Sequence, residues 1–322
     1  MQSPWGCIDE LTEAAMLDFV ISKLLFTLRL NADFPDPYAL FDIREEFMQA
    51  FRTTVCRNDG HCEMCGGHKD CPYHITFSQA LADDKDAVKR HQKPPLPFVF
   101  DLPLLPSPPN KGCEIEIGLA LAGTSINYVA QYVAAVRKLF SMRSVGRKVS
   151  GNIIRVESQG CSDARNCIMK DDGNVSLDNV ATISGRDLLE MNTLEPGRIK
   201  LTLLTPMRII REGVPIREFS CSIFLRSLLR RISSLTYHYY SCGHDIDYKR
   251  LAAESSMIEV AENKFHWIDQ QKSHGTERLS GIVGSGYLEG RLEAEFQIFL
   301  LLGEYFHVGK GAAFGLGRYR IE

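Results

Sequence analysis

Hydrophobic periodicity switches between a two-residue repeat and a helical repeat along this chain, and it does so twice in the same order. In the first half, VISKLLFTLRL from Val20 puts Phe26, Leu28 and Leu30 on one face and Thr27 and Arg29 on the other, the pattern of a half-buried strand. A turn at FPDPY leads into ALFDIREEFMQAFRTTVC, where Leu40, Ile43, Phe47, Phe51 and Val55 recur every three or four residues and predict an amphipathic helix. The prolines of KPPLPFVFDLPLLPSPPNKG exclude a helix and leave only an extended or edge path. CEIEIGLAL then alternates as a strand, INYVAQYVAAVRKLF reads as a helix, and RKVSGNIIRVE as strand material. In the second half GRIKLTLLTP alternates, and FSCSIFLRSLLRRISSLTYHYY is helical by Ile223, Phe224, Leu228, Ile232 and Leu235. MIEVAENKFHWID and RLSGIVGSGYLEG supply a strand pair, EAEFQIFLLLGEYFHV the next helix and FGLGRYRIE the last strand.

Two βαββαβ units in tandem are an internal duplication of the ferredoxin-like, RRM-like motif, so the expected class is α+β. The length of 322 residues is enough for two domains, each with its own core. The predicted division is an N-terminal ferredoxin-like domain over 1–158 with a small Cys-rich insertion at 56–74, and a C-terminal one over 197–322 carrying a glycine-rich loop. Residues 159–196, polar and weakly periodic, read as a linker or insertion.

Net charge is −3, which by itself argues against a nucleic-acid binder. The charge is unevenly placed, however. Met1 to Val20 holds Asp9, Glu10, Glu13 and Asp18 and no basic residue, whereas Arg137 to Arg155 holds Arg137, Lys138, Arg143, Arg147, Lys148 and Arg155 and no acidic one. Met207 to Arg231 carries six arginines against two glutamates, a surplus suited to a polyanion backbone. No apolar run is long enough to cross a bilayer, and MQSPWGCIDE lacks the basic and apolar regions of a signal peptide. A cytoplasmic protein with no membrane partner is expected.

Four of the ten cysteines are bunched together. Cys56, Cys62, Cys65 and Cys71 follow C-x5-C-x2-C-x5-C, four soft ligands whose central pair can share one metal across a tight turn eased by Gly66 and Gly67. Structural zinc is the expected occupant, since four thiolates leave no open position for catalysis, and an iron–sulfur cluster also accepts four cysteines. His61, His68 and His74 are possible substitute ligands.

The chain closes with HVGKGAAFGLGRYRIE, where Gly309, Gly311, Gly315 and Gly317 surround Lys310. Neither the P-loop pattern nor the dinucleotide fingerprint is met, and the context is helix to strand, which argues against mononucleotide chemistry. Two readings remain. Glycines allow backbone N–H groups to approach a polymer's phosphates, with Lys310, Arg318 and Arg320 adding charge. Equally, the loop fits a crowded seam between domains.

This terminal segment, together with TPMRIIREGVPIREFSCSIFLRSLLRRISSLTYHYYSCG, CRNDGHCEMCGGHKDCPYHITF and KPPLPFVFDLP, resembles the CRISPR-associated endoribonucleases that process precursor crRNA, the sixth Cas family of the RAMP superfamily. The likeness runs from about Leu24 to the C-terminus. It implies tandem ferredoxin-like domains, binding of CRISPR repeat RNA, and cutting without a catalytic metal, in which the substrate's 2′-hydroxyl attacks the adjacent phosphate to leave a 2′,3′-cyclic phosphate. Subunits of a CRISPR effector complex are the further partners implied, and a RAMP subunit that holds repeat RNA without cutting is the alternative reading.

Such a reaction needs a base, an acid and a cation. In many family members a histidine on or near the first helix serves, but the helix read at Ala39 to Cys56 has none, offering Arg44, with Tyr38 just before it. The candidate catalytic residues are therefore His307, Lys310, Tyr38, Arg44 and His274, with His238 and His266 weaker. The candidate RNA-binding residues are Gly309, Gly311, Gly315, Gly317, Arg318, Arg226, Arg230 and Arg231. His307 equally suits a helix C-cap, and the three helix arginines a solvated surface.

Overall fold

The computed structural model describes residues 16–322 apart from 57, 59–61, 63, 64, 66–69, 80–93, 142–148, 170–172, 196, 241–247, 272–277 and 293. Its first half is built from β1 (Val20–Leu30), α1 (Arg44–Val55), α2 (Pro72–Phe77), β2 (Phe98–Asp101), β3 (Glu114–Ala122), α3 (Val129–Ser141), β4 (Gly151–Gln159), β5 (Arg165–Met169), β6 (Ile183–Ser184) and α4 (Gly185–Glu190). The second half contains β7 (Arg198–Met207), β8 (Ile210–Arg211), β9 (Val214–Pro215), α5 (Cys221–Tyr240), α6 (Tyr248–Glu254), β10 (Glu259–Ala261), β11 (His266–Gln271), β12 (Arg278–Glu289), α7 (Ala294–Phe306) and β13 (Tyr319–Ile321).

The first sheet runs β2-β3-β1-β4-β5 and the second β10-β12-β7-β13, with every pairing antiparallel. In each sheet the unit's first strand lies between its third and fourth, the order a split βαβ unit produces. The chain is thus a tandem ferredoxin-like α+β protein.

Residues 159–196, read as a linker or insertion, contribute two strands to the first sheet. β5 extends the edge beyond β4, β6 pairs with the start of β1 through Ile21 and Ile183, and α4 opens with a capping box between Ser184 and Asp187. The predicted helix from Ala39 divides. Ala39–Asp42 is a 3-10 turn, and the α-helix proper starts at Arg44.

Strands β1, β2 and β3 are buried on both faces over most of their length, which explains their short unbroken apolar runs. Leu24, Phe26 and Leu28 of β1, Phe98 and Phe100 of β2, and Ile117, Leu119 and Leu121 of β3 face α1 and α3 in one core. Ile21, Val99, Ala120 and Ala122 point the other way, into a second core with Phe224, Leu228 and Ile232 of α5 and Phe299, Leu302 and Phe306 of α7. The helices of the second unit therefore use the first unit's sheet as part of their floor. Such an apolar junction holds the units as one body, whereas separate domains usually meet through a smaller, more polar contact.

Candidate nucleic-acid interface

The glycine-rich loop, 309–317, lies where the two units meet. It leaves α7, makes a 3-10 turn at Ala312–Phe314 and returns into β13. It is strapped to the end of β7: the Lys310 N–H donates to Arg208 O at 2.7 Å and the Gly317 N–H to Pro206 O at 3.0 Å. The buried Thr205 hydroxyl donates to Gly315 O at 2.7 Å and accepts the Arg318 N–H at 2.9 Å. At Gly317 φ is +67°, and a Cβ there would fall 1.8 Å from Val308 O, so no other residue fits without moving backbone.

The apolar middle of the loop faces the first unit. Ala313 and Phe314 are buried in that unit's core, and the Phe314 ring meets Phe98 edge-on at 5.7 Å and stacks on Phe100 at 6.2 Å. Gly315 lets the chain pass Leu102, whose Cδ1 would stand 2.9 Å from a Cβ at that position. The Arg44 guanidinium at the start of α1 lies 5.8 Å from the centre of the Phe314 ring, within cation–π range. Tyr38 packs half-buried against the same cluster, as does Leu316. Arg44 and the loop, sequence candidates from opposite ends of the chain, are thereby neighbours, and Tyr38 packs against the same core.

The idea of a backbone cradle meets a limit here. The amides of Val308, Lys310, Phe314, Gly315, Leu316, Gly317 and Arg318 all donate within the protein. The loop also presents the exposed Lys310 side chain to an anion. Beside it projects the β8–β9 hairpin, which brings exposed Ile210, Arg211 and Val214 to the surface from the Arg208 end.

Other candidates occupy different places from those expected. His307 does not point toward whatever the loop binds. It is 1% exposed, takes φ +55° at the end of α7, and its N–H donates to Gly303 O at 2.8 Å, which makes it a left-handed helix terminus. Burial, then the charges of Arg318, Arg231 and Lys23, hold its imidazole well below the usual value, a hydrogen bond with the Leu316 backbone acting the other way. Arg231, expected on the RNA face, is turned inward and donates from Nε to Phe306 O at 2.7 Å, capping α7; burial lowers its guanidinium to about 10. Arg226 is exposed but holds Ala252 O at 3.0 Å and the Ser256 hydroxyl at 2.8 Å, and Arg230 is exposed on the same helix.

Arg318 is committed first to Asp101 of β2, at 2.7 Å, and Lys23 of β1 reaches the same carboxylate at 3.6 Å. Beneath them Glu304 of α7 accepts the Ile321 N–H of β13 at 3.0 Å, and desolvation raises its carboxyl to about 7 against the pull of Arg320, Lys23 and Arg318. Of these seam charges only Arg318 is marked by the sequence; Lys23, Asp101 and Glu304 stand alone in otherwise apolar or mixed stretches. His266 is exposed, and burial holds His238 below the usual value. His274, His61 and His68 lie outside the described residues. Leu279, just beyond His274 in sequence, is buried in the cluster that contains Phe314.

Cys56, Cys62, Cys65 and Cys71 line a single pocket of about 690 Å³ with Asp70, Tyr73, His74 and Tyr128. Among the described residues, no three His, Cys, Asp or Glu side chains already stand where they would share one metal ion. No described helix is long and apolar enough to cross a membrane.

An AF_1859 N-terminal domain model matches residues 19–180, and the model of the CRISPR-associated endoribonuclease Cas6 matches residues 201–319, which include the whole loop and its seat on β7. The second unit carries a Cas6 domain. Among solved structures it is similar to a partial Cas6-RT-Cas1–Cas2 complex at 12% identity and TM-score 0.56, covering 95% of this chain and 46% of that one. The chain thus spans about half of that larger polypeptide. A Cas6 product complex is similar at 16% identity and TM-score 0.55, covering 94% of this chain and 99% of that one. Thermus thermophilus Cas6 is similar at 15% identity and TM-score 0.51 over the same shares. At these identities the likeness shows a common Cas6 fold. No curated protein sequence matches the chain.

Proposed function

We propose that this chain is a Cas6-type protein that binds CRISPR repeat RNA across the seam of its two units and cleaves precursor crRNA there by 2′-hydroxyl attack. The observation that carries the reading is the loop's junction with the first unit, where the Arg44 guanidinium lies over the Phe314 ring, four residues beyond the exposed Lys310. In this reading Lys310 and Arg44 stabilise the charge that develops on the phosphate, a task suited to fixed cations at a low-dielectric surface. The β8–β9 hairpin and Arg230 hold the flanking RNA backbone. Tyr38 orients the ribose or scissile phosphate, and His274 is the histidine proposed to move the proton, since His307 is enclosed. The zinc of the sequence reading has no part in this step. CRISPR effector subunits are the proposed destination of the product.

A second reading, a Cas6-type subunit that holds repeat RNA without cutting it, is favoured by one observation: α1 has no histidine. A single-turnover assay on repeat RNA in EDTA, with analysis of product ends, separates the two. One cut leaving a 2′,3′-cyclic phosphate supports cleavage, and tight binding with intact RNA supports the holding role. A cut that requires added Mg²⁺ and leaves a 3′-hydroxyl refutes the proposed chemistry.

A further inference from the structure

We infer that Cys56, Cys62, Cys65 and Cys71 form one tetrahedral zinc site that the metal itself closes, at the far end of the helix that presents Arg44. The two outer cysteines are set by helices. Cys56 ends α1, its N–H donating to Arg52 O at 2.8 Å, and Cys71 precedes Pro72 at the first turn of α2. The inner pair forms the tight turn, with the Cys65 N–H on Cys62 O at 3.2 Å. None of the four is in a disulfide, and all four line the same pocket.

The helices that carry the outer pair are already packed. Phe77 of α2 meets Phe51 at 5.5 Å and Phe47 at 6.3 Å, and Arg52 lies 5.9 Å from the Tyr73 ring. Closing the site on the metal brings the four sulfurs together across the pocket they line. Four S–Zn bonds form as four thiol protons pass to solvent, and no coordination position is left open for RNA. Soft thiolates prevail over Asp70 and His74 on the same wall for this ion. α1 is 12 residues long, so at about 1.5 Å per residue roughly 18 Å separates this site from Arg44. The ion thus has a structural role, holding the C-terminal end of α1.

The test uses the full chain purified without chelators. The expected results are one zinc per chain by mass spectrometry, its release by a thiol-specific mercurial in proportion to four thiols, and a Co²⁺ form with thiolate charge-transfer absorption and intense tetrahedral d–d bands. Cys62→Ser should lose the metal while Cys113→Ser, exposed and outside the pocket, retains it. A metal-free chain in which Co²⁺ gives no thiolate band overturns the inference, and iron with acid-labile sulfide overturns the assignment to zinc. Both readouts on the unaltered chain stand even where Cys62→Ser fails to fold, and neither depends on RNA cleavage.

Discussion

Truncating Phe314 to alanine separates the two tasks assigned to the terminal loop. The ring is buried and in contact with Phe98 and Phe100, and it carries the Arg44 guanidinium at 5.8 Å. Emptying a buried phenylalanine site costs about 3 to 5 kcal/mol where the walls cannot collapse. Losing the exposed cation–π contact adds about 0.5 to 1 kcal/mol. The relevant assay is urea unfolding followed by fluorescence, run beside Lys310→Ala, which removes an exposed side chain and should stay within about 0.5 kcal/mol of the parent. Repeat-RNA affinity and single-turnover cleavage are then measured under conditions where both variants are folded. The expected pattern is crossed: Phe314→Ala is strongly destabilised, whereas Lys310→Ala is stable but impaired toward RNA. Equal stability of the two variants would refute the claim that the loop clasps the first unit. Normal RNA affinity and rate in Lys310→Ala would remove that residue from the site.

The remaining expectations follow from the seam. Glu304 titrates at about 7 in the folded chain against 4.5 for an ordinary glutamate. Stability from this group is complete below pH 4.5 and falls as pH rises toward 7, by about 3 kcal/mol from the 2.5-unit difference. Glu304→Gln, which can still accept the Ile321 N–H, should flatten that slope; parallel unfolding curves for both proteins from pH 5 to pH 8 would disprove it. Gly317→Ala should cost more than about 1 kcal/mol because φ is positive and the Val308 carbonyl blocks the methyl group; a near-neutral result by thermal unfolding would show that the loop yields. His307→Ala should lower stability while leaving the pH at which cleavage is half-maximal unchanged. A shifted cleavage profile in that variant would return the imidazole to the chemistry.

How much of this was legible in the sequence differs by element. The strands and long helices could be read because Phe26, Leu28 and Leu30, or Leu228, Ile232 and Leu235, repeat with one period over many residues. The two-residue strands β6, β8 and β9 are too short to show any period, and β5 with α4 hid inside a polar stretch. At the candidate interface, glycine spacing located the loop but not its direction. That Ala313 and Phe314 point inward depends on a partner, β2, more than two hundred residues earlier in the chain. His307 and Arg231 were misplaced for a related reason: charge and residue type do not reveal which side of a helix end is covered. Arg44, chosen because a helix lacked its histidine, lies against the loop through a tertiary contact that no local pattern encodes.

The way the loop is fastened also sets where an RNA specificity can be altered. Its glycines admit no side chain without displacing neighbours, and Ala312, Ala313 and Phe314 are committed to the interior. Lys310 and the half-exposed Leu316 are the positions left to vary. A substitution library confined to 309–317 would therefore return mostly unfolded chains. One placed on the β8–β9 hairpin, where Ile210, Arg211 and Val214 already face solvent, can explore new contacts while the clasp beneath it holds.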